Sequence, residues 1–344
     1  MPKLAYMYNP TLAPGWFNKE FANHDIECYQ SERQYPQDTV FYYDIYGHYH
    51  DLLQRHLDEG FRIIYDAKNE HYLPGKESYR LIEKFQQYPG QVMCIISGQT
   101  ALHIPGVKVV ATPYWYWYMD QQNWRNFKLD TWQPKRDPRY KYFMQISLPR
   151  QDRNDLYNKL EKRHLLEHSL HSFRGRNIFL PGDVDPTTYD GNWQRYINPD
   201  WYQQTWFSLT VETYINDSHD EHKGFSLTQD ENLFFSEKTY KAFACQHPFV
   251  LASTYHNLSY VRTQGFETFP ELFDESYDYE PDFDQRMNRV CDAVQNFRQQ
   301  EYYNPRVQEK IRHNHARFFN RALTHKFIQE TVIFPVLDFL YAQT

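Results

Sequence analysis

Glu212 ends the apolar run Phe207–Val211, and Ser236-Glu237-Lys238 opens a helical pattern after a polar loop. Ser236 is a natural N-cap, because its hydroxyl can take an orphan backbone N–H of the first turn. A helix N-terminus carries partial positive charge, and Lys238 adds a full one to it. That combination suits an anion such as a diphosphate, with Glu237 placed to accept hydrogen bonds from ribose hydroxyls. Cations favour the other end of a helix, so Lys238 is oddly placed if it serves the helix alone. A plainly capped helix with solvated charges fits the same residues.

Glycine is scarce, 12 in 344 residues, about half the usual share of roughly 7 %. The chain has neither a dinucleotide fingerprint nor a P-loop. A phosphate would therefore be held by side-chain cations and helix N-termini rather than by a glycine-rich cradle.

The motifs resemble those of the α-1,3-fucosyltransferases and their bacterial and phage relatives. That family carries a strand ending F-x-L-x-x-E-N-S, then Y-x-T-E-K opening a helix, then an apolar strand beginning P-V or P-F. Here the counterparts are Phe207-Ser208-Leu209 with Glu212, then Phe234-Phe235-Ser236-Glu237-Lys238, then Pro248-Phe249-Val250. Thr213-Tyr214 stand where the family has Asn-Ser, and Phe234 and Ser236 where it has Tyr and Thr, so the resemblance does not name the donor sugar. A second match is the strand Tyr142–Ser147 followed by Arg153, Leu156 and Leu160 on a helix.

The resemblance implies a GT-B-like α/β fold, two Rossmann-type domains facing across a cleft. It also implies a glycosyltransferase that moves a sugar, with inversion and without a metal, from a GDP- or UDP-linked donor to a hydroxyl. No cofactor besides the donor is expected. Arg153, with Arg150 as a near competitor, would clamp the diphosphate opposite Lys238, since the guanidinium fork binds phosphate oxygens in bidentate fashion. Without the resemblance, Arg153 also fits an exposed helical arginine paired with Asp152 or Asp155. The segment Gly265–Asp278 resembles a block downstream of the Glu-Lys motif in such relatives. On that basis Asp274 joins the donor-binding set, whereas Glu275 and Asp278 fit caps of the helix that follows.

An inverting transfer needs a general base facing the acceptor. The candidates are carboxylates at strand ends of the first half: Glu70 first, then Asp66 and Asp44. Tyr114-Trp115-Tyr116-Trp117-Tyr118 offers rings for an acceptor sugar, with Tyr114, Trp115 and Trp117 as the acceptor-side residues; interdomain packing fits the run equally. His164, His168 and His171 would share one helix face at i, i+4 and i+7. No acidic partner sits at the right offset, and no metal is expected.

The elements that must position these residues follow from periodicity. Apolar runs at Lys3–Tyr8, Phe61–Tyr65, Gln91–Ile96 and Val107–Ala111 read as strands, with helices at Tyr49–Glu59 and Ser78–Gln87 between them. A second alternation has strands at Tyr142–Leu148, Asn177–Leu180, Phe207–Glu212 and Phe249–Ala252. Its helices fall at Asp152–Leu165, Glu237–Ala244, Asp282–Gln299 and Pro305–Arg321. The expected division is an acceptor-side domain 1–130, a linker 131–141 and a nucleotide-sugar domain 142–325. A helix at 326–344, apolar at helical spacing, would cross back to the first domain.

Composition sets outer limits. The 41 % hydrophobic and 18 % aromatic content excludes a disordered chain. A net charge of −7 opposes a broadly basic nucleic-acid surface, although residues 136–176 hold ten Lys/Arg against five Asp/Glu. Four scattered cysteines, no signal-peptide pattern and no long apolar run suggest reduced thiols, no membrane span and a cytoplasmic protein. Two rival readings remain: a phage-type DNA glycosyltransferase, with nucleic acid only as acceptor, and a non-catalytic glycan- or nucleotide-binding module.

Overall fold

The computed structural model describes residues 3–7, 27–29, 35–36, 38–44, 50–71, 81–82, 84–97, 99–100, 104–112, 136–146, 149–180, 197–213, 215 and 232–342. The chain divides into two compact units. One comprises Met1–Tyr114, His219–Asn232 and Arg321–Thr344; the other comprises Trp115–Ser218 and Leu233–Asn320.

The first unit is built on six parallel strands: β1 (Lys3–Met7), β2 (Glu27–Tyr29), β3 (Thr39–Asp44), β4 (Arg62–His71), β5 (Val92–Ser97) and β6 (Lys108–Thr112), in the order β2-β1-β3-β4-β5-β6. Helix α1 (His50–Asp58) lies between β3 and β4 in the chain. Parallel strands covered on both faces read as continuous apolar runs, as Val92–Ile96 does. On one face, Phe41 stacks on the His56 imidazole of α1 at 3.7 Å, and the Tyr43 hydroxyl meets His56 Nδ1 at 2.7 Å.

The other face, with Val40, Tyr42, Ile64, Met93, Ile95 and Val110, is covered by the end of the chain through Val332, Ile333, Val336, Phe339 and Leu340. Arg62 of β4 fastens that end. Its guanidinium donates to the carbonyls of Phe339 (2.5 Å), Ala342 (2.7 Å) and Leu340 (3.1 Å), and Lys108 donates to Pro335 O (2.9 Å). The last carbonyls of a helix lack partners within it and carry partial negative charge, so cations satisfy them twice over. The terminal pattern forms two α-helical pieces with one π turn, Gln329–Ile333, between them. Pro335 supplies the reason: its ring clashes with an α-helical carbonyl four residues back, and a wider turn relieves the clash.

The second unit has four parallel strands: β7 (Tyr142–Ile146), β8 (Ser169–Phe173), β9 (Phe207–Val211) and β10 (Phe249–Ala252), in the order β10-β9-β7-β8. Its helices are α2 (Gln151–Lys162), α3 (Pro199–Gln204), α4 (Glu237–Ala244), α5 (Asn257–Thr263), α6 (Phe283–Gln295) and α7 (Pro305–Phe318). Aromatic rings fill its core: Phe207 packs against Tyr142, Phe273 and Phe297, and Phe243 stacks on Phe266 at 4.1 Å. Arg136 belongs to this unit, donating to the carbonyls of Tyr202 (2.7 Å) and Thr205 and to the Tyr302 hydroxyl. Of the expected linker 131–141, the part from Arg136 onward is thus tied into the second unit.

Several elements differ from the sequence reading. Asn177–Leu180 is not a strand: Arg174–Arg176 forms a 3-10 turn, Asn177 adopts a left-handed conformation, and one bridge joins Phe173 to Ile178. The edge strand is β8 instead, whose Ser169–Phe173 has no periodicity beyond two apolar residues. His164 therefore sits in a left-handed turn (φ 57°), His168 in a 3-10 turn and His171 on β8. The three histidines do not share a helix face. His171 meets Ser169 Oγ at 2.7 Å and the Tyr157 hydroxyl at 3.2 Å, while His164 meets Glu167 at 2.8 Å.

Candidate functional site

The carboxyl ends of β9 and β7 bring together the residues at the centre of the sequence reading. Glu212 follows β9 directly and is fully buried. Its Oε1 accepts from the Ser236 backbone N–H (3.0 Å) and the Thr239 hydroxyl (2.6 Å); its Oε2 accepts from the Ser236 hydroxyl (2.6 Å) and the Thr213 N–H (3.3 Å). Four donors on one carboxylate make it a clamp that fixes the first turn of α4 to the end of the sheet. Charge-assisted bonds of this kind are about twice as strong as neutral ones.

Ser236 caps α4, accepting the Lys238 N–H at 3.4 Å. The Lys238 ammonium folds back over the same helix end, donating to Ser236 Oγ (3.1 Å), Thr213 Oγ1 (3.3 Å) and Glu237 Oε1 (3.1 Å). Its side chain is 14 % exposed, so solvent still reaches it. Glu237 is buried; burial opposes its ionisation, but Lys238 and Lys241 outweigh that and hold its carboxyl below the usual glutamate value.

Arg153 lies in the first turn of α2, directly after β7, and is buried. Its Nη2 donates to the carbonyls of Glu212 (3.0 Å) and Thr213 (3.3 Å). Arg153 and Lys238, far apart in sequence, thus both contact Thr213, one through its carbonyl and the other through its hydroxyl. Burial, and then the neighbouring Arg150 charge, lower the Arg153 pKa. Arg150 precedes α2 and lies 3.9 Å from Asp152.

Lys241, one turn along α4, was not singled out in the sequence. It is buried on the sheet side of the helix, and burial pulls its pKa from 10.5 down to about 8, against the attraction of Glu237. It lines a cavity of about 20 Å³ together with Lys238, Gln145, Thr210, Phe143 and Tyr202, enough room for one water-sized group. The signal was present: Glu237 and Lys241 are an i, i+4 pair in a helix whose other residues are mostly apolar. Such pairs are usually solvated, which is why it passes unnoticed. Thr239 was missed as well, because a threonine inside a helix carries no distinguishing pattern.

Other candidates fall elsewhere. Asp274 is exposed and accepts the Ser276 N–H (3.0 Å) of a 3-10 turn, so it is a turn cap rather than part of this cluster. Asp278 does not cap the helix that follows. Its carboxylate takes the N–H groups of Leu258 (2.7 Å) and Ser259 (2.8 Å), at the start of the preceding helix α5, whereas Asp282 caps α6. Glu275 holds the Phe269 N–H (2.6 Å) and pairs with Arg262 (2.6 Å).

Asp66 does not end its strand. It is level with Asp44 of β3, but β4 continues to His71. Asp66 is buried and accepts the Tyr42 hydroxyl. Glu70 lies within β4, not one helical turn beyond it, because the strand runs on past an irregularity between Ala67 and His71. Tyr114, Trp115 and Trp117 lie outside the described residues. Among the described residues, no group of three or more His, Cys, Asp or Glu side chains could hold a metal ion. No described helix is long and apolar enough to cross a membrane.

What these elements define is an α/β protein with two parallel sheets and a cationic helix N-terminus at the carboxyl edge of the second. No family model matches the sequence, and no curated protein matches it. Among solved structures, the chain is similar along its whole length to an α1,3-fucosyltransferase, at 11 % identity and a TM-score of 0.47 over 91 % of that chain. Structures described as an α1,3-fucosyltransferase with GDP and with GDP-fucose give 10 % identity each, with TM-scores of 0.46 and 0.43 over 91 % of those chains.

Proposed function

We propose that this protein is a glycosyltransferase of GT-B type, using a GDP- or UDP-linked sugar as donor and a hydroxyl as acceptor. The observation that carries the reading is the convergence of Arg153 and Lys238 on Thr213, beside a helix N-terminus clamped by Glu212. Ligands of open parallel sheets bind outside the carboxyl ends of the strands. A helix N-terminus flanked by two cations is built for a diphosphate there.

In the transfer, the acceptor oxygen attacks the anomeric carbon and the bond from that carbon to the diphosphate oxygen breaks. The departing electron pair stays on the diphosphate, where Lys238, Arg153 and the α4 terminus stabilise it, so no metal is required. Attack opposite the leaving group inverts the anomeric centre. The acceptor proton passes to a carboxylate, for which Glu70 is the first candidate and Asp66 the second. Glu212, with both oxygens engaged by the chain, acts by holding α4 in place.

Calorimetric titration with GDP and UDP tests the reading. Loss of a hydrogen bond to a charged group costs about 1.5 to 3 kcal/mol, so Lys238→Ala should bind the better of the two about ten- to a hundredfold more weakly. Its unfolding midpoint should fall as well, because Lys238 also bonds Thr213 and the buried Glu237, so binding is measured well below the variant's melt. Nucleotide binding equal to wild type in Lys238→Ala would remove the proposal.

A further inference from the structure

We infer that Tyr255, with His256 and Tyr279 beside it, is the shelf on which the base of a nucleoside diphosphate stacks. This inference rests on the reading of the α4 terminus as the diphosphate site.

The shelf lies beyond the carboxyl end of β10, the strand beside β9, and thus on the sheet edge that carries Glu212. A side-chain bond ties the two places together: Asn257 Nδ2 donates to Phe234 O at 2.5 Å, two residues before the α4 cap Ser236. His256 has a left-handed backbone (φ 61°), uncommon outside glycine although asparagine, aspartate and histidine adopt it more often than other residues. It is held there because its N–H donates to Asp278 O (2.9 Å), while the Asp278 carboxylate fixes the next turn through Leu258 and Ser259.

The left-handed residue brings two consecutive rings together. Tyr255 and His256 stack with centroids 3.8 Å apart and planes 19° from parallel. Tyr279 stands edge-on to His256 at 5.4 Å and 75°, and is 57 % exposed. Tyr255 is half-buried, and among the described residues it has no other ring contact and no hydrogen bond. A pre-ordered, partly exposed aromatic pair beside a cationic anion site matches a nucleotide, with a flat base at one end and a charged phosphate at the other. Every base has a π-face, so the shelf takes the base by stacking.

Three probes separate this inference from the reading beneath it: GDP, UDP and inorganic pyrophosphate, each titrated into wild type, Tyr255→Ala, Tyr255→Phe and Lys238→Ala. Stacking on one aromatic ring is worth about a ten- to hundredfold change in affinity. Tyr255→Ala should weaken the better nucleotide by that factor and leave pyrophosphate unchanged, Tyr255→Phe should bind as wild type, and Lys238→Ala should weaken all probes that bind. Nucleotide binding unchanged in Tyr255→Ala overturns the shelf while leaving the diphosphate site standing. So does an equal loss of pyrophosphate in that variant, which would mean that the ring only shapes the loop. Wild type that binds none of the three probes removes the diphosphate site and the shelf together.

Discussion

Lys241→Met removes a buried ammonium and keeps a side chain of similar length, so it isolates what the charge costs. Burial lowers the Lys241 pKa from 10.5 to about 8, a fall of about 2.5, and at 1.36 kcal/mol for each the folded protein loses about 3 kcal/mol holding the proton. The direction follows from proton counts. Between pH 8 and 10.5 the unfolded chain keeps the Lys241 proton while the folded chain has released it, so stability rises with pH across that window. Below pH 8 both states hold the proton and the full cost is present. Methionine abolishes this cost, which is already net of the Glu237 attraction, and Glu237 keeps Lys238 at 3.1 Å. The net expectation is a second unit more stable by about 1 to 3 kcal/mol at pH 7, with the advantage shrinking toward zero by pH 10.5. Urea unfolding of both proteins at a series of pH values measures it, and groups common to both cancel in the difference. A variant less stable than wild type at pH 7, or a gap that ignores pH, would refute the reasoning.

Two further outcomes follow from contacts already described. Glu212→Gln keeps the shape of the clamp but loses the charge and turns one acceptor oxygen into a donor facing donors. It should destabilise the second unit by about 2 to 3 kcal/mol and weaken nucleotide binding with it, read by thermal melts and titration; an unchanged melt would show that the four bonds to Glu212 hold nothing. Arg62→Ala leaves the last carbonyls of the terminal helix without their cation, and should lower the first unit's stability by about 2 kcal/mol and speed proteolysis after Lys326. Cleavage at the wild-type rate would argue that the apolar face alone holds the helix.

Much of the architecture was legible because hydrophobic period reports burial directly. Phe249–Ala252 and Glu237–Ala244 have the ends that their apolar spacing and the Ser236 cap imply, and the alternation of strands and helices called for parallel sheets. Residue type also marked Lys238, since a cation in the first turn of a helix is out of place unless something else faces it, whereas Arg153 stood out only through the family resemblance. What periodicity could not carry was everything decided by contacts distant in sequence. Ser169–Phe173 is a strand because β7 pairs with it, not because its residues alternate. Asp274 was set apart from Glu275 and Asp278 by the resemblance, but only the folded turn shows its oxygen taken by the Ser276 N–H. Asp66 reads as a strand end until the register with β5 carries β4 onward. Lys241 shows the limit most clearly. Its sequence context is an ordinary salt-bridge spacing, and only the sheet packed beneath α4 removes the water that makes such a pair cheap. Local sequence thus determined the strongly periodic elements and the Ser236 cap, whereas the edge strand, the partners of the acidic side chains and desolvation, which depends on what lies on the far side of each element, were decided by the tertiary structure.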